Sequence, residues 1–370
     1  MRGLLLALAV LSPVTAAANV APPPGDLSPM MLVSFTPPAV TCAQGSPRLI
    51  EGVTPSPRFW QSWRPPAESK APPPPPPVSA IHTFSVDAEG RVLDLVKTTP
   101  STHWLDQEQA AAIASWRFAP GAPATGCTAG LTPTYSLMAE ASPARLFEVL
   151  VTEGRNTPPP VRKALASAGD CYAAGVRRRP QVIVYPDLRA FDDKSLDPPW
   201  AAVRYDIDAR GAVRNVRIAA QNGEVAFADS VASAVAEAKY FPGPARTGCF
   251  TSFKALPRAT QAPPMPSIAS FARPGDTCAV PPETLNLPKV RTYPSAYDKR
   301  RVAGWAIVRF DVAPWGQVGA VEVLAAQPSA AFGDTARNLV LSARPNAPAS
   351  GYHGCVLPIT YAIPPAPDDD

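Results

Sequence analysis

Alternating apolar and polar residues occur in three short blocks of the chain, each interrupted by the same kind of turn. The blocks cover residues 84–92, 205–213 and 310–318. Apolar side chains at every second position predict a half-buried strand. The glycine of each block, Gly90, Gly211 or Gly316, supplies the positive φ that a tight reversal needs. Each block therefore predicts a β-hairpin.

A helix is predicted after every hairpin. Apolar and small residues at helical spacing cover residues 106–116, 227–240 and 332–342. A proline follows each of them, at Pro120, Pro242 and Pro345, and ends the helix. A last short strand is expected at or just after a cysteine, as in residues 355–363. The predicted unit is β-β-α-β, an α+β arrangement of one antiparallel sheet packed on one helix.

The cysteines indicate that this unit is repeated three times. The pairs are 85, 78 and 77 residues apart, and they are Cys42 with Cys127, Cys171 with Cys249, and Cys278 with Cys355. The hairpin glycine precedes the second cysteine by 37, 38 and 39 residues. Six cysteines permit 15 pairings. The repetition selects one of them, a disulfide inside every copy.

These patterns divide the chain into modules and connecting segments. We predict modules at residues 39–140, 167–258 and 276–363, linkers at 19–38, 141–166 and 259–275, a stiff polyproline insert at 72–77 and an acidic tail at 364–370. The prolines, 49 in 370 residues, are interpreted as separators of small folded units.

The N-terminus predicts export. Arg2, a short apolar run and the small residues before Asn19 are typical of a cleavable signal peptide over residues 1–18, cut near Ala18. A bilayer span takes roughly 20 apolar residues, and Pro13 interrupts this run after about ten. We therefore expect a periplasmic protein of a bacterium, where disulfides persist. Retention of this segment as a membrane anchor is the alternative.

Composition argues against several functions. The net charge is only +4, so a nucleic-acid partner is not expected. Three histidines at unrelated positions of the repeat, and the absence of nucleophile-elbow, zinc-protease and P-loop patterns, predict no catalytic residue, metal or cofactor. For His82, a packed or solvated side chain is the favoured interpretation.

The ordered motifs resemble the C-terminal domain of TonB, the periplasmic end of bacterial energy transducers. The resemblance rests on a Tyr-Pro pair ahead of a helical stretch, the hairpin block, and an aromatic-proline exit from the helix. The pairs are Tyr185-Pro186 and Tyr293-Pro294, and the exits lie at residues 116–121 and 240–243. It covers residues 42–140, 171–255 and 278–363.

The resemblance implies a binding role. Domains of this family contact a short segment at the plug of an outer-membrane transporter, often by adding a strand to a sheet edge. The expected partners are therefore envelope proteins, among them TonB-dependent transporters. Two alternatives are a cell-wall-binding or scaffold protein, with peptidoglycan as partner, and an exported hydrolase whose site forms between modules.

Some residues are candidates for partner contact. They are Tyr185, Pro186, Tyr293 and Pro294 of the family motif, Trp315 at a hairpin tip, and the basic cluster Arg177, Arg178 and Arg179. The cluster is strengthened by Arg162 and Lys163 if these lie nearby, and it can contact anionic headgroups or cell-wall polymer. A solvated arm is its simpler interpretation. Trp116 and Trp305 lie on apolar faces and are predicted to be core residues.

Overall fold

A computed structural model describes residues 29–36, 39–61, 80–99, 105–176, 179–278, 282–288, 292–348 and 350–363. Several predictions fall outside this part: the signal peptide, most of the first linker, the polyproline insert, Arg177, Arg178 and the acidic tail. The described residues form antiparallel sheets with helices packed on them, in agreement with the predicted α+β class.

The first sheet has five strands in the order β3-β1-β7-β4-β5, and β2 and β6 form a separate small pair. The bounds are β1 Met31–Thr36, β2 Leu49–Glu51, β3 Arg58–Trp60, β4 Ala80–Val86, β5 Val92–Lys97, α1 Leu105–Ser115, β6 Arg117–Phe118 and β7 Ala124–Leu137.

The second sheet has three strands in the order β10-β9-β12, with β8 and β11 paired beside it. Its region consists of α2 Pro143–Glu153, α3 Pro159–Ala166, β8 Pro180–Val182, β9 Trp200–Ile207, β10 Val213–Asn222, α4 Val225–Glu237, β11 Lys239–Tyr240 and β12 Arg246–Lys254.

The third sheet has three strands in the order β14-β13-β15. Its region consists of α5 Ser295–Lys299, β13 Gly304–Val312, β14 Val318–Gln327, α6 Ala330–Leu341 and β15 Tyr352–Tyr361. No helix in the described part of the chain is long and apolar enough to cross a membrane.

The hairpin glycine and the helix exit, two separate motifs in the sequence, are in direct contact. The backbone N–H of Phe118 donates to the carbonyl of Gly90 at 3.0 Å, and that of Tyr240 donates to Gly211 at 2.8 Å. A Cβ at Gly211, whose φ is +85°, would lie 2.0 Å from the Tyr240 carbonyl oxygen. Glycine is therefore needed both for the turn and for the close approach of the exit strand.

Disulfides join Cys42 to Cys127, Cys171 to Cys249, and Cys278 to Cys355, the same pairs that the repeat predicts. The last strand of each sheet differs from the prediction, because β7, β12 and β15 begin three residues before the second cysteine. A glycine with positive φ precedes that cysteine (Gly126, Gly248 or Gly354). In β12 the pairing shifts between Arg246 and Cys249, so the strand continues through an irregularity instead of starting after it.

The predicted linker at residues 19–38 contains a strand, and this part of the prediction is wrong. Residues 31–36 form β1, which pairs antiparallel with β7 along its whole length. Leu32, Val33 and Phe35 are buried on it. The flanking prolines dominated the composition of the segment and concealed a short apolar strand.

The segment at residues 141–166 joins the first and second sheets, but it is folded and not an extended linker. Ser142 caps α2, because its side chain accepts a hydrogen bond from the Arg145 amide. Phe147 of α2 and Leu165 of α3 are buried against Trp200 and other residues of the second sheet. The second sheet is thereby covered on both faces, by α4 on one side and by α2 and α3 on the other.

The segment at residues 259–275, also predicted as a linker, is attached to the third region. The Trp305 indole N–H donates to the carbonyl of Pro263 at 2.8 Å. The Thr260 amide donates to Arg301 at 2.8 Å. Trp116 and Trp305 are both buried, which confirms their prediction as core residues.

The sheets are not separate bodies on flexible connections. One hydrophobic core cluster runs through the first and third regions, whereas the second has a core of its own. The Leu95 amide on β5 donates to the Pro328 carbonyl at 2.8 Å. Glu51 of the first region pairs with Arg258 at 2.6 Å and accepts from the Leu196 amide at 2.6 Å. These contacts place all three sheets in one unit.

Candidate functional site

The outer edge of β12 is a sheet edge with a cavity on each of its two faces. Within the described ranges β12 pairs only with β9. The Tyr172 hydroxyl donates to the Phe250 carbonyl at 2.6 Å and accepts from the Phe250 amide at 3.3 Å. The main-chain groups of Phe250 therefore point away from β9. Because main-chain groups alternate along a strand, those of Ser252 and Lys254 point the same way.

An apolar cavity of about 270 Å³ opens beside this edge, on the face that carries α4. Its walls include Ile183, Val235, Tyr240 and Phe253. Ile183 is 53% exposed although it is a large aliphatic residue. A concave apolar surface of this kind at an open edge can receive an apolar side chain.

A basic cavity of about 920 Å³ lies on the opposite face, between β12 and the helices α2 and α3. Arg155, Arg162, Lys163 and Ser252 line it. The Arg162 guanidinium donates to the Thr157 carbonyl at 3.3 Å and so holds the loop between the helices. No hydrogen bond or ion pair to a described residue engages the side chains of Arg155 or Lys163. These two cations are available to an anionic group.

The two cavities lie on the two faces of the sheet between which the side chains of β12 alternate. Ser252 lines the basic cavity and Phe253 the apolar one. Side chains of a paired strand alternate between the same two faces. A strand added to this edge would therefore place successive side chains in an apolar cavity and beside two free cations.

The corresponding edge of the first sheet is occupied. Thr128, one residue after the bridged Cys127, exchanges main-chain hydrogen bonds with Thr41 at 2.7 and 3.2 Å, so its groups also point outward. Further along β7 this edge carries β1. At residues 132–137, which follow the position that corresponds to Ser252, the chain itself provides the added strand.

The corresponding edge of the third sheet is interrupted by a proline. Counting from the bridged cysteine, Pro358 on β15 stands where Ser252 stands on β12. At this position of the strand the main-chain nitrogen of Pro358 points away from β13, as that of Ser252 points away from β9. Proline has no N–H to offer a further strand. Edge prolines are a common way to prevent strand addition.

The motif residues of the second region lie next to the open edge. The Tyr185 side chain is 71% exposed, and its ring centroid lies 6.3 Å from that of Phe253. Pro186 is buried. The helical stretch expected after this pair is absent, since residues 187–199 contain turns, bends and irregular chain but no helix. The side chains of Asp192 and Asp193 there accept hydrogen bonds from the Leu256 and Ala259 amides instead.

The motif residues of the third region have a structural role. Pro294 precedes α5, the helix that the motif predicts. The Tyr293 hydroxyl donates to the Val302 carbonyl at 2.6 Å, and the ring packs on Phe332 and Tyr361. Burial of this phenol raises its pKa above the usual range.

Two further candidates are placed elsewhere. Trp315 is 72% exposed at the tip of the β13–β14 hairpin, and its indole N–H donates to Gln317 at 3.0 Å. The Arg179 guanidinium lies 5.0 Å from the centroid of the Phe241 ring, a cation–π contact beside β11. The predicted residues therefore do not form a single site.

Sequence reasoning missed Tyr172, Phe250 and Arg155. Tyr172 directly follows the bridged Cys171, and that position was the one signal available for it. The role of Phe250 and Arg155 depends on how α2 and α3 pack on β12, which no local pattern contains.

His82 lies outside this site. It is buried on β4, and burial lowers its pKa to about 4, so the imidazole is neutral near pH 7. The described part of the chain holds no cluster of three or more histidine, cysteine or acidic residues that could bind a metal ion.

Neither a model of any protein family nor a curated protein matches this sequence. The arrangement of residues is therefore the basis for any statement about function.

Proposed function

We propose that this is a non-enzymatic, exported binding protein that receives an extended segment of an envelope protein at the open edge of β12. The observation that carries the proposal is the pairing of β1 with β7, in which an edge of the same type takes six residues of extended chain. The added segment forms main-chain hydrogen bonds with Ser252 and Lys254. Such strand addition gives affinity through the main chain and specificity through the flanking cavities.

We further propose that the three regions are copies of one TonB-C-like module. Each has a hairpin, a helix and a last strand in the same order, with a disulfide that ties the last strand to the preceding arm. The resemblance found in the sequence makes outer-membrane transporters the first class of partner to test. Three disulfides fit the oxidising periplasm that the predicted signal peptide implies.

The test replaces Ser252 by the residue that the third sheet has at the same position. Ser252→Pro removes one outward N–H and leaves Arg155 and Lys163 of the basic cavity and every lining residue of the apolar cavity unchanged. We expect the variant to fold, as β15 does with Pro358, and to lose binding to a panel of extended peptides immobilised on an array. The wild type should select peptides in which apolar and acidic residues alternate.

Ser252→Thr is the matched control, because it keeps the N–H and favours a strand. It should bind like the wild type. Equal binding by Ser252→Pro would exclude strand addition at β12. The peptides selected only by the wild type are then compared with the proteins recovered from envelope extract, and enrichment of outer-membrane transporters supports the TonB-like role.

The exposed indole of Trp315 favours a second candidate function, binding to the cell wall. A cavity of about 400 Å³ beside it is lined by Asp311, Gln317 and His353, groups that can hydrogen-bond a sugar. An exposed aromatic ring beside such groups suits a polysaccharide. Sedimentation with purified peptidoglycan decides: binding that Trp315→Ala abolishes and Ser252→Pro leaves unchanged supports this function over the first.

A further inference from the structure

A cavity of about 290 Å³ lies where the three sheet regions meet. The first region contributes Arg58 and Glu108, the second contributes Lys254 and Asp197, and the third contributes Lys299 and Arg300; all six line the cavity. The volume of this cavity equals that of about ten water molecules in the liquid. Pockets at the junction of folded regions are frequent sites of small ligands.

Two of the cations are balanced by carboxylates. Arg58 pairs with Glu108 at 3.0 Å and with Glu153 at 3.0 Å, and Lys299 pairs with Glu108 at 3.3 Å. Two positive and two negative groups form this network, so it contributes no net charge to the cavity.

Lys254 and Arg300 are not balanced in the same way. Lys254 forms no hydrogen bond or ion pair to a described residue through its ammonium group. The hydrogen bond of Arg300 goes to the neutral Thr54 carbonyl at 2.8 Å, and its Nε is buried with no partner among the described residues. Desolvation by burial lowers the pKa of both groups.

Asp197 is the remaining carboxylate of the cavity. It accepts a hydrogen bond from the Asn222 side chain at 3.4 Å and forms no ion pair within the described ranges. Asp197 faces both Lys254 and Arg300. Glu148 also faces Lys254 but pairs with Arg145 at 2.5 Å. With Arg145 and Glu148 included, this neighbourhood has one more cation than carboxylates, so one positive charge remains without a counter-charge. Partly buried charges of this kind are costly unless something neutralises them.

We propose that this junction cavity binds a small organic anion, with a carboxylate or phosphate group held between the Lys254 ammonium and the Arg300 guanidinium. The anion completes the charge balance and accepts hydrogen bonds from both cations. Because each region contributes to the cavity, the bound anion also fastens the three regions together. This site uses the side chain of Lys254, whereas strand addition uses the main-chain groups of Ser252 and Lys254.

The test measures thermal unfolding of the full chain at constant ionic strength, with chloride as the reference salt. Phosphate, glycerol phosphate, succinate and citrate are added in turn at 10 mM, about a hundredfold above an affinity in the 0.1 mM range. A bound anion should raise the melting temperature by about 3 °C or more. Comparison of the melting temperatures with the phosphates and with the carboxylates shows which oxyanion the cavity prefers.

Lys254→Met tests the site directly, since methionine keeps an unbranched apolar stem of similar length. We expect the affinity measured by calorimetry to fall by about tenfold or more, the loss of one charge-assisted hydrogen bond. In chloride alone the variant should be as stable as the wild type or more stable, because an unpaired charge has been removed. A merely structural lysine would instead lower the melting temperature in chloride.

Lys239→Met is the matched control, because Lys239 is exposed on β11 and does not line the cavity. It should keep the full response to the anion. The proposal is overturned if no anion raises the wild-type melting temperature above the chloride reference, or if Lys254→Met responds as the wild type does. Ser252→Pro should retain the anion response, so failure of strand addition and failure of this site are distinguishable.

Discussion

The edges of β7 and β12 offer the same main-chain chemistry but are used differently. On β7 the chain lays its own segment, β1, and buries Val33 and Phe35 with it. On β12 the outward groups of Ser252 and Lys254 have no strand beside them in the described part of the chain, and a cavity opens on each face. A sheet edge can bind another segment only when no strand of the same chain covers it and when cavities on its two faces can receive side chains.

The third sheet sharpens this comparison. Its edge strand β15 lacks a neighbouring strand in the described ranges, as β12 does, yet Pro358 removes a donor from it. At the edge formed by its last strand, the first sheet carries β1, the third carries a proline and the second is open. Protection of two of these three edges supports the proposal that the third is kept accessible for use.

The largest expected effect comes from loosening the occupied edge. Phe35→Ala removes a ring that β1 buries in the core shared by the first and third regions. We expect the free energy of unfolding to fall by about 4 kcal/mol. Urea denaturation followed by fluorescence measures it.

Thr36→Ala is the control for that variant, because Thr36 is the exposed last residue of the same strand. It should change stability by about 0.5 kcal/mol or less. Similar effects of the two substitutions would mean that β1 is held only loosely. The contrast between an occupied and an open edge would then disappear.

Acid should destabilise the first region at a higher pH than the second. His82 on β4 has its pKa lowered from 6.5 to about 4, whereas residues 167–258 contain no histidine. A lowered histidine pKa means that the unfolded chain takes up the proton first. Stability is therefore complete above pH 6.5 and declines as the pH falls toward 4, by about 3 kcal/mol in all.

Hydrogen exchange between pH 7 and 4.5 measures this effect strand by strand. The amides of β4 and β7 should lose protection before those of β9 and β12. His82→Leu should remove most of the pH dependence in that range. Equal loss of protection in both regions, or an unchanged profile in the variant, would contradict the assignment.

The second region has its own acid-sensitive contact, which acts at lower pH. Asp170, beside the bridged Cys171, accepts from the Thr247 amide at 2.7 Å and pairs with Arg246 at 3.1 Å. These contacts lower the pKa of the carboxyl below 3.8. The stabilisation is therefore present above about pH 4 and is lost only below it, after the first region has responded.

The smallest expected effect concerns the hydroxyl that covers part of the open edge. Tyr172→Phe removes both hydrogen bonds to Phe250 and should cost about 1 kcal/mol. The freed main-chain groups extend the edge available to an added strand, so peptide affinity should rise. Titration calorimetry with a selected peptide measures it.

Tyr293→Phe serves as the comparison for that variant. The Tyr293 hydroxyl donates to the Val302 carbonyl at 2.6 Å in the third region, and this residue lines neither cavity beside β12. It should lower stability by a similar amount without increasing peptide affinity. A rise in peptide affinity in both variants, or in neither, would argue against Phe250 as part of the binding edge.

Much of the fold was predictable because it depends on local spacing. The hairpin glycines, the helices after them and the disulfide partners all repeat at nearly constant intervals, and each interval reflects a local requirement for a turn, a helix or a crosslink. The strand β1 and the helices α2 and α3 were not found. Their apolar residues lie among prolines or between modules, where the composition of the surrounding segment outweighs the local periodicity.

The candidate site was predictable only in part. Tyr185 was singled out from a motif, and it lies beside the open edge. Tyr293 belongs to the same motif, but its hydroxyl is hydrogen-bonded inside the third region. The same Tyr-Pro pair therefore has different surroundings in the second and third regions, because different segments pack over it.

The sequence by itself determined the kinds of element, their order and the cysteine pairs, since these depend on neighbours along the chain. Tertiary structure alone decided which edge stays open and which cations stay unpaired. Ser252 and Pro358 acquire opposite roles only when their positions are counted along paired strands. Lys254 and Arg300 line one cavity only because the three regions pack together. Contacts between residues far apart in the chain decide both, and no local pattern encodes them.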